Sequence, residues 1–151
     1  MKLLSFPLSA AFAAVLSLTA CGGGGGDSGG NTSTPAATIK IAAETAGTGA
    51  EAAANSHVKV NYTGWLYSAT AANNKGTQFD TSVGKQPFVF DIGGNVIPGF
   101  SKGVQGMKVG GKRTVVIPAS LGYGAAGMPP AIPGNADLVF DIELLCVGAS
   151  C

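Results

Sequence analysis

Looked at for reactive groups, the chain offers few. It has a single histidine, His57, which leaves little room for a Ser–His system, and no G-x-S-x-G elbow is present. No Cys, His and carboxylate cluster stands at ligand spacing, so neither a metal centre nor a cofactor is expected. No close carboxylate pair of the kind glycoside hydrolysis needs is seen either. What remains is a set of rings and branched side chains: Tyr62, Phe79, Phe88, Phe90, Val96, Ile97, Phe100, Tyr123, Ile132 and Phe140. They read in two ways, as the hydrophobic core of a small domain or as a pocket walled by rings. A pocket of the second kind works by keeping water out, and needs no nucleophile.

The elements that must place these residues are mostly strands. The one convincing helix signal beyond the N-terminus lies within Val96 to Arg113, VIPGFSKGVQGMKVGGKR. Pro98 can open a helix, since the first turn needs no N–H from it. Ile97, Phe100 and Val104 form one apolar stripe, and Gly106 is a natural stop. So short a helix, with Gly103 inside it, must rest on something apolar. Strands are expected at Thr38–Ala43, at an edge; at His57–Leu66, with Val58, Val60 and Tyr62 on one face and His57, Lys59 and Asn61 on the other; at Thr77–Asp80; at Gln86–Ile92; at Gly111–Pro118; and at Ala136–Cys146. On the inner face the Tyr62 hydroxyl must find a partner, while His57 on the polar face reads as solvated. Ser68 to Gly76 is a polar turn, and Ala119 to Pro133 a long Gly- and Pro-rich loop of the sort that carries function. Without βαβ alternation the fold class is α+β: an antiparallel sheet of about five strands wrapped around one short helix, with a pocket where the helix N-terminus meets the sheet.

The ends of the chain speak of export. Met1-Lys2 and the apolar run Leu3 to Leu18 form a secretory signal, residues 1–20. Leu18-Thr19-Ala20-Cys21 resembles a bacterial lipobox, which makes Cys21 the lipidated first residue of the mature chain. Residues 21–37 are a Gly/Ser/Thr-rich tether, and residues 38–151 the folded domain. The glycine run lacks the Lys and the context of a phosphate loop. Gly22 after Cys21 resembles outer-membrane sorting, so the expectation is a lipid anchor in the outer membrane facing the periplasm. Cys146 and Cys151 can pair in an oxidising compartment and pin the C-terminus to the last strand. With 9 basic and 8 acidic residues there is no clustered charge to hold nucleic acid or an anionic membrane. No dimerisation helix precedes the domain, which points to a monomer.

The segments NYTGWL, FDTS, PFVFDIG, VIPGFSKGVQGMKVGGKR and IPASLGYGAAGMPPAIPGNADLVFDIELL, in this order, resemble the FKBP-type peptidyl-prolyl cis–trans isomerases over nearly all of Gly47 to Leu145. The resemblance implies a sheet around a short helix, isomerase activity without cofactor, and proline-containing polypeptides as partners, with macrolide immunosuppressants as further ligands. It places Tyr62, Phe79, Asp80, Phe88, Val96, Ile97, Phe100, Tyr123 and Phe140 at the proline pocket, under the loop Ala125 to Pro133. Phe100 would be the floor, Tyr62, Phe88 and Phe140 the walls, and Phe90 and Ile132 further substrate contacts. The Ile97 N–H and the Tyr123 hydroxyl would hold carbonyls, and Asp80 would position Tyr62 or a pocket carbonyl. Phe100 stands where many members carry Trp, and the smaller ring deepens the pocket. Met128-Pro129-Pro130 gives the overhanging loop a chemistry of its own.

Overall fold

The structure, a computed structural model, describes residues 37–151. The expected signal segment, the lipidation site Cys21 and the tether as far as residue 36 lie outside them. In chain order the elements are β1 (Lys40–Thr45), β2 (His57–Tyr67), β3 (Lys75–Thr81), β4 (Phe88–Asp91), α1 (Pro98–Val104), β5 (Lys112–Ile117) and β6 (Leu138–Val147). All strands pair antiparallel in one six-stranded sheet of order β1-β5-β6-β2-β3, with β4 also on β2. β3 and β4 share one flank of β2: β4 takes His57 to Val60 and β3 takes Thr63 to Tyr67. Each of the six segments expected to be extended overlaps a strand, and that sharing keeps the sheet five strands wide. Ser68 to Asn74 turns through a short 3-10 stretch, and extended structure resumes at Lys75, slightly earlier than the sequence suggests.

Alternation explains which way the strands face. In β2, Val58 and Val60 are fully buried while Lys59 and Asn61 look outward; in β6, Leu138, Phe140, Ile142 and Leu144 are buried. Together with Val104, Val115 and Ile117 they form the core between helix and sheet. Burying each such side chain contributes about 1.5–3 kcal/mol, which holds in place a helix too short to persist alone. Pro98 occupies the first helical position and Ile97 the N-cap. The two helix glycines have a packing role. A Cβ on Gly99 would lie 2.2 Å from Ile117 Cγ2, and one on Gly103 would lie 3.2 Å from Val115 Cγ2. The helix backbone therefore rests directly on β5, and Gly103, a weakness for the isolated helix, permits the contact. Gly106, at φ +81°, turns the chain out of the helix and donates its N–H to the Ala52 carbonyl at 2.8 Å. At the far end of β6, Cys146 and Cys151 are joined by a disulfide.

Candidate active site

Where the N-terminal end of α1 meets the inner face of the sheet, a hollow of about 250 Å³ opens. Tyr62, Phe79, Asp80, Phe88, Asn95, Val96, Ile97, Phe100, Tyr123, Met128 and Phe140 line it. β2 contributes Tyr62, β3 contributes Phe79 and Asp80, β4 contributes Phe88, and β6 contributes Phe140. Phe100 comes from α1 and sits at the base, edge-on to Phe140 at 5.2 Å and to Tyr62 at 5.6 Å between ring centroids. Phe79 and Phe140 make a further edge-on pair at 5.6 Å. Such pairings orient rings as well as bury them. Gly64 makes room for this wall, because a Cβ there would fall 2.6 Å from Phe79 and 2.7 Å from Phe140.

Polar groups in the hollow are few and specific. The Tyr62 hydroxyl donates to Asp80 Oδ2 at 2.5 Å, the partner its inward strand position demands. Asp80 Oδ1 accepts the Thr81 N–H at 2.8 Å, and Lys85 Nζ stands 3.9 Å away. Burial first, then the hydrogen bond and negative charge of Asp80, hold the Tyr62 phenol well above its ordinary range. Burial, and then the Asp80 charge, raises Tyr123 as well. Both therefore remain protonated donors. The Ile97 carbonyl accepts from Phe100 N at 3.0 Å and starts the helix. Neither the Ile97 N–H nor the Tyr123 hydroxyl has a hydrogen-bond partner among the described residues.

Two expected contacts are not there. Phe90 is buried to 8 % exposure, stacked behind Phe88 at 5.2 Å and tilted against Phe100 at 5.4 Å, so it backs the pocket and does not line it. Ile132 is fully buried. The loop folds onto itself through paired backbone bonds between Met128 and Ile132, which turn Met128 toward the hollow and Ile132 into the core. The sequence reading in turn lacked Asn95 and gave Met128 no lining role. Asn95 sits in a turn with no periodicity to follow. His57 lies away from the hollow, its Nδ1 2.7 Å from Asp91 Oδ1 at the surface. No group of three or more His, Cys, Asp and Glu that could hold a metal is found among the described residues. A larger hollow, about 350 Å³, includes the outward-facing Asn61, Thr63, Lys112, Thr114, Asp141 and Glu143 in its lining, but the charges among these are paired: Lys112 with Glu143 at 3.5 Å and Asp141 with Lys75 at 2.6 Å.

A sheet curled around one short helix, with a ring-walled hollow at the helix's opening turn, is the α+β class of fold and site that the chain presents. Comparison with known proteins gives that class its family. The family model for the FKBP-type peptidyl-prolyl cis-trans isomerase matches residues 49–145. FK506-binding protein 1 of Gibberella zeae is 47% identical over 105 residues, covering 69% of this chain and 93% of that protein. FK506-binding protein of Neisseria meningitidis is 45% identical over 103 residues, covering 67% of this chain and 88% of that one. Among solved structures, a peptidyl-prolyl cis-trans isomerase from Pseudomonas syringae matches with a TM-score of 0.59 and 36% identity, covering 73% of this chain and 74% of that one. FkpA from Escherichia coli gives the same TM-score at 41% identity; 73% of this chain is covered, but only 47% of the FkpA chain. The chain belongs to the FKBP-type peptidyl-prolyl cis-trans isomerases, and is an enzyme of that class.

Proposed function

We propose that the ring-walled hollow takes the proline of an X–Pro segment and speeds rotation about its imide bond in proteins of the cell envelope. The barrier, about 20 kcal/mol, is the loss of amide resonance, and the unassisted step takes tens of seconds or more. No covalent bond is made or broken, so the residues need only favour the twisted form over the planar one. The planar imide is the more charge-separated, so a dry apolar site disfavours it relative to the twisted form. In this reading Phe100 is the floor under the ring, with Tyr62, Phe88 and Phe140 as walls and Phe79 and Val96 at the margin. The Ile97 N–H and Tyr123 hydroxyl hold substrate carbonyls, and Asp80 keeps Tyr62 in place. Each ~1.4 kcal/mol gained by the twisted form alone is a factor of ten in rate. The observation that carries the reading is the coincidence of an unpaired backbone donor, Ile97 N–H, with a hollow walled by five rings and one phenol bound to a carboxylate.

The envelope setting draws on the Leu18 to Cys21 tetrad and on the Cys146–Cys151 disulfide, a bond that persists in oxidising compartments. In this reading residues 1–20 are removed, Cys21 carries lipid, and residues 21–37 tether the domain to a membrane, with the outer membrane favoured. The relatives named as FK506-binding proteins support a macrolide of that class as a competing ligand.

The decisive experiment is refolding of a protein whose slow phase is proline-limited. The protein should shorten that phase in proportion to its concentration, and a macrolide competitor should cancel the effect. A rate equal to the spontaneous one at every concentration would refute the proposal. Labelled fatty acid should enter the wild-type chain and not Cys21→Ser; label in neither, or in both equally, would remove the anchor from the reading.

A further inference from the structure

Phe100 and Ile97 ride on the same short helix, so the floor of the hollow and its free donor move together. Helices end with carbonyls that lack internal partners. At the C-terminal end of α1 one guanidinium takes two of them: Arg113 Nη1 donates to Gly103 O at 2.8 Å and to Gln105 O at 3.1 Å. Arg113 is only 8 % exposed. Its remaining donors meet Glu44 in β1, Nε at 3.2 Å and Nη2 at 2.5 Å from the same Oε1. A buried cation is costly unless its donors are met; here each of its three nitrogens has an acceptor, drawn from the end of α1 and from β1. A lysine could not reproduce this, since one ammonium replaces a rigid planar fork. At the middle of the helix, the Ser101 hydroxyl accepts the Gly93 N–H at 3.1 Å, so the turn leading to Asn95, Val96 and Ile97 is itself fastened to α1.

We propose that Arg113 is a positioning residue for the isomerase: by holding the C-terminal end of α1 against β5 and β1, it sets where Phe100 and the Ile97 N–H stand in the hollow, and Glu44 in turn holds Arg113. The proposal rests on the roles given above to Phe100 and Ile97. Their contribution is made mainly to the twisted imide, so a displaced helix lowers kcat more than it changes KM.

The test uses the full chain and follows isomerisation kinetics alongside backbone amide resonances. Arg113→Lys keeps the charge beside Glu44 but cannot span both carbonyls. It is expected to lower kcat about fivefold, to leave KM within about twofold, and to shift the amide resonances of Ile97 and Phe100. Glu44→Gln, which leaves both carbonyl contacts in place, should fall between wild type and Arg113→Lys. Val58→Ala serves as a control, lowering the melting temperature through the core without moving kcat or those resonances. Unchanged kcat in Arg113→Lys would overturn the proposal. So would a loss of kcat with both resonances unmoved, or an equal loss in Val58→Ala. A wild-type protein without activity would instead bring down the proposed function, and this inference with it.

Discussion

Tyr62 is asked for two things, a ring edge toward Phe100 and Phe88 and a hydroxyl toward Asp80. Tyr62→Phe removes the second and keeps the first. The lost bond, to a charged acceptor, is of a kind that contributes about 1.5–3 kcal/mol. Both melting temperature and kcat/KM should fall, which calorimetry and the refolding assay would read. Tyr123→Phe removes an unpaired hydroxyl and should weaken catalysis only modestly. Phe140→Ala removes a wall that touches Phe79, Phe100 and Tyr62; it should cost about 3–5 kcal/mol of stability and more activity than Tyr123→Phe does. Equal activity in the two variants would contradict that ranking. The pH response follows from the phenols. Tyr62 and Tyr123 both titrate above their ordinary value in the folded chain. Their stabilising contribution is therefore whole below the unfolded value, about 10, and disappears as pH rises through the higher folded one. The melting temperature should stay level through the neutral range and begin to fall above about pH 10, while acceleration of refolding by the folded protein should persist past that point, because both phenols keep their protons there. A pH–rate series with a midpoint near neutrality would show that another group governs the site.

At the scale of elements, the site depends on how closely backbone and rings approach. Gly64 in β2 leaves the space that the Phe79–Phe140 pair fills. Gly64→Ala should push that pair into the hollow. The expected result is a rise in the dissociation constant for a proline-containing peptide, with the fold retained by circular dichroism; unchanged affinity would show that the wall relaxes elsewhere. Much of this architecture was legible from residue order. Period-two alternation in His57–Leu66 and Ala136–Cys146 marked their inner faces, and Pro98 and Gly106 bracketed the helix as the structure has it. Depth behind the inner face was not legible. Alternation places Phe88 and Phe90 on one side of β4 but does not say that Phe88 fronts the hollow while Phe90 backs it. Ile132 and Met128 were harder still, because their placement depends on loop backbone pairing. Asn95 was missed for want of any pattern around it. The Arg113 clamp joins residues 44, 103, 105 and 113, and no local motif brings distant partners of that kind together.

For the whole molecule, the sheet's two margins differ. β1 is exposed along its length, and a bulge between Ile41 and Ala43 interrupts its register with β5. With Lys40 and Glu44 on the same strand, it is a poor template for another chain. The C-terminus is secured by the Cys146–Cys151 bond, and the Gly148 N–H donates to His57 O at 2.8 Å. The loop closed is short, so the bond should contribute at the low end of about 2–4 kcal/mol. Cys146→Ser with Cys151→Ser should lower the melting temperature by several degrees while leaving isomerisation rates near wild type; a large loss of activity would mean that the last strand's end influences the pocket. In the sheet order, β1 and β3 occupy opposite margins, separated by roughly 19 Å of stacked strands at the usual spacing. Phe79 and Asp80 stand beside the mouth on the β3 side. In the anchored form proposed above, the tether would enter at the β1 margin, across the sheet from the β3 side where Phe79 and Asp80 stand, and a long unfolded client would reach the rings without threading past it.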